Sequence, residues 1–379
     1  MILDYEVLKF IWWIFVGVLL IGFAITDGMD MGVGNLLPFL GKNDDERRVM
    51  INTVGPHWDG NQVWLITAGG AIFAAWPAVY AAAFSGFYVA MLLVLFALFF
   101  RPVGFDYRSK LGDARWRKAW DWGLFIGGAV PSLVFGVAFG NLLLGVPFNL
   151  DELLRSTYTG TFFALLNPFA LLTGIVSFSL LTMHGGIWLQ MRTSGELSER
   201  VKDYIQWTGI AAIAAFALAG IWVIAGIDGY SITAQPPLDA LPNPLAKTVE
   251  IGNGAWLNNY ADYPLTILFP VLGFLGVVMT ILMSKANRPG WGFLTSSLAI
   301  TGVIMTAGVS MFPFIMPSSN VPSSSLTVWD APSSHLTLTV MFWAVVIFLP
   351  IVISYTVWNY RKMWGRLSVE EMQERFSAY

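Results

Sequence analysis

The sequence contains no cysteine among its 379 residues and few charged side chains. Without cysteine, the chain forms no disulfide, holds no zinc or iron–sulfur cluster through thiolates, and has no thiol nucleophile. Only 12% of its residues are charged, against about 25% in an ordinary soluble domain. This low charge content excludes a water-soluble globule. The net charge of −3 argues against a nucleic-acid partner, which would favour a strongly basic face.

What the chain has instead is apolar sequence in long runs, with 56% hydrophobic residues and a mean hydropathy of +0.64. A bilayer core of about 30 Å needs roughly 17–25 apolar residues in a helix. Runs of this kind predict nine spans, with one long run divided at Trp76-Pro77 because an unbroken helix would overshoot the bilayer. The predicted spans are Phe10–Thr26, Asn61–Trp76, Val79–Phe100, Trp122–Leu144, Phe163–Gln190, Tyr204–Ile227, Tyr263–Ser284, Trp291–Met311 and His335–Tyr360.

We therefore expect an all-α, polytopic membrane protein that forms a single transmembrane domain over residues 1–379. A weak internal duplication is suggested by the similar segments Ile25–Gly28 and Gly226–Gly229. Asp4 and Glu6 lie where a signal peptide has its basic region, so we expect the first span to be retained.

Lysine and arginine alternate between the two sides of the predicted spans, and short cytoplasmic loops accumulate these residues. Only Lys9, Arg155 and Lys247 fall on the poorer side. The pattern predicts a periplasmic N-terminus and a cytoplasmic C-terminus. The residues on the richer side are Lys42, Arg47, Arg48, Arg101, Arg108, Lys110, Arg115, Arg117, Lys118, Arg192, Arg200, Lys202, Lys285, Arg288, Arg361, Lys362, Arg366 and Arg375.

Charged residues at membrane depth are costly, about 2.5–3.5 kcal/mol each on insertion scales, so each needs a partner or a purpose. Asp30 lies between two apolar runs, where it acts either as an interfacial cap paired with an arginine or as part of a buried site. Arg101 ends the third span and Asp121 opens the fourth. Arg101 either extends to the lipid headgroups or is the shared cation of a buried network with Asp30 and Asp121.

The segment from Gly55 to Gln62 opens the second span and contains His57 and Asp59. Asp59 is a candidate helix N-cap. Alternatively, His57 and Asp59 form a cytoplasmic entry for protons, because imidazole titrates near neutrality and a neighbouring carboxylate can pass protons inward.

Histidine is scarce, with His57, His184 and His335 as its only representatives. His335 lies at the opposite membrane face from the other two, and a lone histidine in a helix is more often hydrogen-bonded than a ligand. The sequence also lacks a phosphate-binding loop, a dinucleotide fingerprint and an HExxH motif. The residues alone therefore predict neither a metal site nor a haem site.

Several stretches resemble subunit II of the cytochrome bd-type quinol oxidases, and the likeness extends from Tyr5 to the basic tail at Arg361–Arg366. These stretches are Thr26–Gly32 (TDGMDMG), Gly55–Trp64 (GPHWDGNQVW), Trp76-Pro77 with Tyr80–Tyr88, Phe99–Pro102 (FFRP), Phe139–Asn141 with Gly145–Phe148, and Met311–Phe314 with Met316–Ser319.

The resemblance implies a heteromeric complex in the bacterial inner membrane, formed with subunit I and inactive without it. Each subunit would have nine helices, arranged as two four-helix bundles plus one helix. The complex would oxidise quinol, reduce dioxygen to water with cytoplasmic protons, and pump none. Haems b and d would be ligated mainly or wholly by subunit I. A structural ubiquinone in this subunit, a small single-span accessory subunit and bound lipid are further expectations.

The resemblance implies that Asp59 belongs to a proton path. It also implies that three residues support the haem site without ligating the haem: Asp30, Arg101 and Asp121. A proton-coupled transporter that uses acidic residues as its relay is the alternative function. The repeat evidence for a transporter is weak, and the sequence shows no paired broken helices.

Overall fold

Twelve α-helices make up most of the chain in the computed structural model, which describes residues 3–368; Arg375 lies outside these residues. The helices are α1 (Tyr5–Leu40), α2 (Asp44–Val54), α3 (Trp58–Ala75), α4 (Pro77–Gly86), α5 (Tyr88–Tyr107), α6 (Ala114–Leu144), α7 (Pro168–Arg192), α8 (Gly195–Gly226), α9 (Asn258–Asp262), α10 (Leu268–Lys285), α11 (Pro289–Met311) and α12 (His335–Lys362).

Eight helices of the described chain are long and apolar enough to cross a membrane: α1, α5, α6, α7, α8, α10, α11 and α12. This confirms that the chain is mostly helical and crosses the membrane several times. The second predicted span corresponds to α3, which has 18 residues but opens with Asp59, Asn61 and Gln62. Those polar side chains lower the mean hydropathy of α3, so α3 is not among the eight apolar helices.

Helix α1 is longer than the sequence predicts, because the first span was expected to end at Thr26 and instead continues to Leu40. The expectation was wrong because the span was ended at the first ionisable residue after the apolar run, Asp27. In the structure Asp27 and Asp30 are buried in the middle of a continuous helix, where an arginine from another helix neutralises charge. The predicted break at Trp76-Pro77 is confirmed, since Pro77 is the first residue of α4.

Glycines allow the central helices to approach each other closely. A Cβ atom on Gly32 of α1 would overlap the backbone of α7 at Leu181, and one on Gly185 of α7 would overlap Gly32. Gly136 of α6 meets Thr173 of α7 in the same way. These contacts place α1, α6 and α7 side by side, as small residues do in membrane bundles.

Six short strands form three antiparallel pairs in the loops at the end of the bundle that carries Lys9 and Lys247. The strands are β1 (Phe148–Leu150), β2 (Ser156–Tyr158), β3 (Asp228–Ala234), β4 (Thr248–Asn253), β5 (Phe314–Met316) and β6 (Leu326–Thr327). Buried Lys9 donates to the carbonyls of Leu238, Ala240 and Trp329 at 2.7–3.1 Å. Its ammonium therefore ties two loops to the start of α1.

Helix α12 packs lightly on the rest of the chain, and Leu338 is its only buried residue. At its first turn, Trp12 Nε1 donates to the Leu338 carbonyl at 3.1 Å, and the ring of His335 stacks on Tyr5. At its last turn, Tyr360 contacts His57 and Asn61. The helix is thus fastened at both ends.

Candidate functional site

A buried ion pair joins α5 to α1. The two terminal nitrogens of Arg101 bond the two oxygens of Asp27 at 2.8 and 2.5 Å, and Nη2 lies 3.7 Å from Asp30 Oδ2. Asp27 and Asp30 are three residues apart and so lie on one face of α1. The guanidinium also lies over the ring of Trp58, 5.6 Å from its centroid. The site therefore holds two carboxylates and one guanidinium, all at most 3% exposed.

Asp30 is connected onward to α3 and α12 by hydrogen bonds. Asn61 Nδ2 donates to Asp30 Oδ2 at 2.9 Å, and the hydroxyl of Tyr360 donates to Asn61 Oδ1 at 2.7 Å. A cavity of about 10 Å³, comparable to the space of one water molecule, lies between Asp30, Arg101 and Leu124. Four helices thus contribute polar groups to one buried network.

Asp121 belongs to a different cluster. Its two oxygens bond Arg108 Nε at 2.6 Å and Arg47 Nη1 at 2.8 Å, and Arg108 also pairs with Asp44 at 2.8 Å. Arg101 packs against Gly127 of α6, six residues beyond Asp121, which is about 9 Å along the helix. The structure brings Asp30 and Arg101 together, which is one of the two arrangements considered for Arg101, whereas Asp121 lies nearer the helix end with its own arginines.

His57 and Asp59 have opposite surroundings. His57 is buried, its ring stacks on Tyr360 at 4.6 Å between centroids, and Nδ1 lies 3.3 Å from the Val54 carbonyl. Burial lowers the pKa of His57 to about 4, so the imidazole is neutral at pH 7. Asp59 is exposed, and the N-cap position of α3 is occupied by His57, so the N-cap interpretation of Asp59 was wrong.

Beyond its first turn, the exposed face of α3 is mainly apolar, with Thr67 as its polar residue. Asp59 begins a stripe at helical spacing that continues through Val63, Ile66, Gly70 and Phe73, all of them exposed. A carboxylate therefore stands at one end of an apolar surface that this chain leaves uncovered. Such a surface in a membrane contacts lipid or another protein.

The other two histidines are engaged in hydrogen bonds. His184 is fully buried, with Nδ1 2.7 Å from Ser296 Oγ and Nε2 2.9 Å from the Ile25 carbonyl. His335 Nε2 lies 2.9 Å from the Leu3 carbonyl. Among residues 3–368, no three histidine, aspartate or glutamate side chains are grouped as a metal site.

A cavity of about 730 Å³ lies between α1, α6, α7, α8, α10 and α11. Its wall is mainly apolar, with Phe23, Phe135, Phe216 and Phe274 among its residues. A polar end is formed by Tyr260, whose hydroxyl lies 3.0 Å from Ser310 Oγ. This volume falls within the range of sites for organic ligands and cofactors.

Comparison with known proteins identifies the family. The sequence profile of cytochrome bd terminal oxidase subunit II matches residues 8–363. The chain belongs to this family. It is 59% identical to cytochrome bd-I ubiquinol oxidase subunit 2 of Escherichia coli strain K12, over 98% of both chains. It is 34% identical to cytochrome bd ubiquinol oxidase subunit 2 of Bacillus subtilis, over 95% of this chain and 97% of that one.

The fold is also that of the family. A structure of bd oxidase from Geobacillus thermodenitrificans superposes with a TM-score of 0.70 at 14% identity, covering 94% of this chain and 98% of that one. As a member of the subunit II family, the chain is part of a quinol:oxygen oxidoreductase complex and is a multi-pass protein of the inner membrane. Membership implies a subunit I partner and does not favour the transporter alternative.

Sequence reasoning missed three residues of the buried network: Asp27, Asn61 and Tyr360. Asp27 had a usable signal, because its spacing from Asp30 places both carboxylates on one helix face. Asn61 and Tyr360 had no such sequence signal. They are 299 residues apart in the chain, and only the packing of α12 on α3 brings them into contact.

Proposed function

We propose that this subunit supports the redox centre of its partner and admits protons, while subunit I ligates haem b and haem d. The support comes from the Arg101 network, which holds two carboxyl groups of α1 and the guanidinium of α5 in a fixed arrangement away from water. The family is a haem-containing oxidase, and its haems supply electron transfer and dioxygen reduction when bound. In this chain the histidine nitrogens of His184 are both engaged, which agrees with ligation by subunit I.

In this proposal Asp30 and Arg101 maintain the side of the haem site that faces this subunit, and Asp121 holds the cytoplasmic ends of α2, α5 and α6 in register. The contacts favour this division of roles. Arg101 bonds across two helices at membrane depth, whereas Asp121 bonds Arg47 of α2 and Arg108, which follows α5. Neither carboxylate is a haem ligand in the proposal.

In this proposal protons enter at Asp59. His57 has only a structural role, because it is the residue that precedes α3, the helix that carries Asp59. The exposure of Asp59 beside an apolar stripe supports this role, because a partner covering the stripe would place the carboxylate at the edge of the interface. Protons consumed in dioxygen reduction would then enter from the cytoplasm, and no pumping is required.

We further propose that the 730 Å³ cavity holds a ubiquinone as a structural cofactor. Its apolar wall suits a prenyl tail, and the hydroxyls of Tyr260 and Ser310 suit a quinone carbonyl. A Cβ atom on Gly220 would meet nothing within 4 Å in this wall, so Gly220→Leu should occupy the space without a clash. Quinone extracted per complex should fall in Gly220→Leu and stay unchanged in Gly290→Leu, an open glycine outside the cavity.

For the topology we propose that α3 is the ninth span, that the helices form two four-helix bundles plus one helix, and that the N-terminus is periplasmic. The concentration of Arg47, Arg108 and Arg117 at one end of the bundle supports the orientation. Since the chain lacks cysteine, single substitutions test it cleanly. In intact spheroplasts an impermeant maleimide should label Leu241→Cys and leave Arg115→Cys unlabelled.

Purification of this chain alone and with subunit I tests the division of labour. Reduced-minus-oxidised spectra should show the full haem complement and quinol-dependent oxygen consumption only for the complex. A full haem complement in this chain alone would contradict the proposal. Mass spectrometry of the same complex reports whether a small single-span subunit and lipid accompany it.

A further inference from the structure

The buried network leaves Asp30 with one short bond from the protein. Arg101 gives both terminal nitrogens to Asp27, and the 3.7 Å between Arg101 Nη2 and Asp30 Oδ2 exceeds hydrogen-bond length. Asn61 Nδ2, at 2.9 Å, is the hydrogen-bond donor to Asp30 within residues 3–368, and Asp30 Oδ1 has no partner there. Beside the ion pair with Arg101, one amide therefore holds this carboxylate by a hydrogen bond.

The Asn61 side chain has two unlike ends, a donating NH2 group and an accepting carbonyl oxygen. With the NH2 group toward Asp30, the contact is attractive. A rotation by half a turn would direct Oδ1 at the carboxylate and make the contact repulsive. A donor that is hydrogen-bonded to Oδ1, on the side away from Asp30, would hold the amide at this place.

Tyr360 is placed to do this. Its hydroxyl donates to Asn61 Oδ1 at 2.7 Å, and its ring is held by the stack on His57 and by an edge contact with Trp188, at 6.1 Å between centroids. Asn61 is 2% exposed, so water does not compete freely for its oxygen. We propose that Tyr360 is a positioning residue for Asp30 that acts through Asn61 by holding the amide within hydrogen-bond distance of the carboxylate.

This inference deepens the proposed support of the haem site and rests on it for the link to haem retention. It also assigns the hydrogen bonds from Tyr360 to Asp30 a positioning role and no role in proton transport. An amide between Tyr360 and Asp30 has no readily exchanged acidic proton, so the chain of bonds holds Asp30 in place and does not conduct protons to it. The proton path of the proposal begins at Asp59, on the other face of α3.

The test uses the complex with subunit I and the variant Tyr360→Phe, which removes the hydroxyl and keeps the ring. Tyr355→Phe is the matched control, because Tyr355 lies on the same helix and is 66% exposed. A structure of each variant complex gives the distance between Asn61 and Asp30. In Tyr360→Phe we expect the 2.9 Å contact to be lost, and in Tyr355→Phe we expect it to persist. An unchanged contact in Tyr360→Phe would overturn the inference.

A double-mutant cycle with Asn61→Leu gives a second readout, the temperature at which the complex loses its haem spectrum. Tyr360→Phe should lower this temperature in the wild-type background and have no further effect in Asn61→Leu. Additive effects would show that the Tyr360 hydroxyl acts independently of Asn61 and would refute the inference. If the contact is lost but haem retention is unchanged, the positioning holds and the proposed haem support fails.

Discussion

Arg101 on α5 and Asp27 on α1 form a two-bond pair whose distances are 2.8 and 2.5 Å and whose side chains are at most 3% exposed. Parallel bonds of this kind need the planar fork of a guanidinium. The pair connects two helices at a depth where neither group meets bulk water. Removal of either partner would therefore leave the other buried without its main counter-charge.

Replacing Arg101 by lysine keeps the charge and removes the fork. We expect Arg101→Lys to lower the haem content of the purified complex strongly, because one ammonium cannot bond both oxygens of Asp27 and stay near Asp30. Haem per protein from pyridine haemochrome spectra measures the effect. Arg115→Lys, at an exposed site, should match the wild type. A normal haem content in Arg101→Lys would show that the Arg101–Asp27 pair does not support the haem site.

Asp59 is tested by a pair of substitutions that differ in charge. If Asp59 passes protons, Asp59→Asn should reduce oxygen-consumption turnover by about 100-fold, the low end for a lost acid–base group, while Asp59→Glu retains much of it. Haem content should be normal in both variants. Asp106→Asn, which changes another exposed carboxylate, serves as the control. Equal turnover in the Asn and Glu variants would contradict a proton role.

Replacement of Asp121 should lower the stability of the complex. Its side chain and that of Arg108 are each 1% exposed. Asp121→Asn leaves a buried guanidinium partly uncompensated, and we expect a loss of about 3 kcal/mol, at the lower end for a broken buried pair because Arg108 keeps Asp44. Thermal unfolding of the complex measures it. The exposed pair Asp151–Arg155 gives the control, since Asp151→Asn should leave the midpoint unchanged.

His57 predicts a pH dependence of stability. Because burial lowers the pKa of His57 from 6.5 to about 4, the unfolded chain binds the proton more readily than the folded one. The stabilising contribution is complete above pH 6.5 and is lost as the pH falls toward 4. His57→Phe keeps a ring against Tyr360 and should flatten the pH dependence of the thermal midpoint over this interval. An equally steep profile in the variant would assign the dependence to other groups.

The sequence predicts the membrane class, the break before Pro77 and the side that carries the basic residues, because apolar run length and charge placement are local properties. It does not predict that α1 continues through Asp27 and Asp30. That outcome depends on the ion pair between α1 and Arg101 of α5. The local sequence of either helix does not show that the two helices pack with these charges in contact. The separation of Asp121 from Arg101 has the same origin, since position along a helix decides which arginine is near.

The bond between Asn61 and Tyr360 also bears on how the protein is made. Helix α3 carries three polar side chains in its first turns, and the one buried deepest, Asn61, receives its last hydrogen bond from a residue 299 positions later. While synthesis is under way, α3 has Asp30 as a partner but lacks the tyrosine. The oxygen of the Asn61 amide gains its donor only when the C-terminal helix is inserted, so a prematurely terminated chain would leave this buried oxygen without the tyrosine hydroxyl.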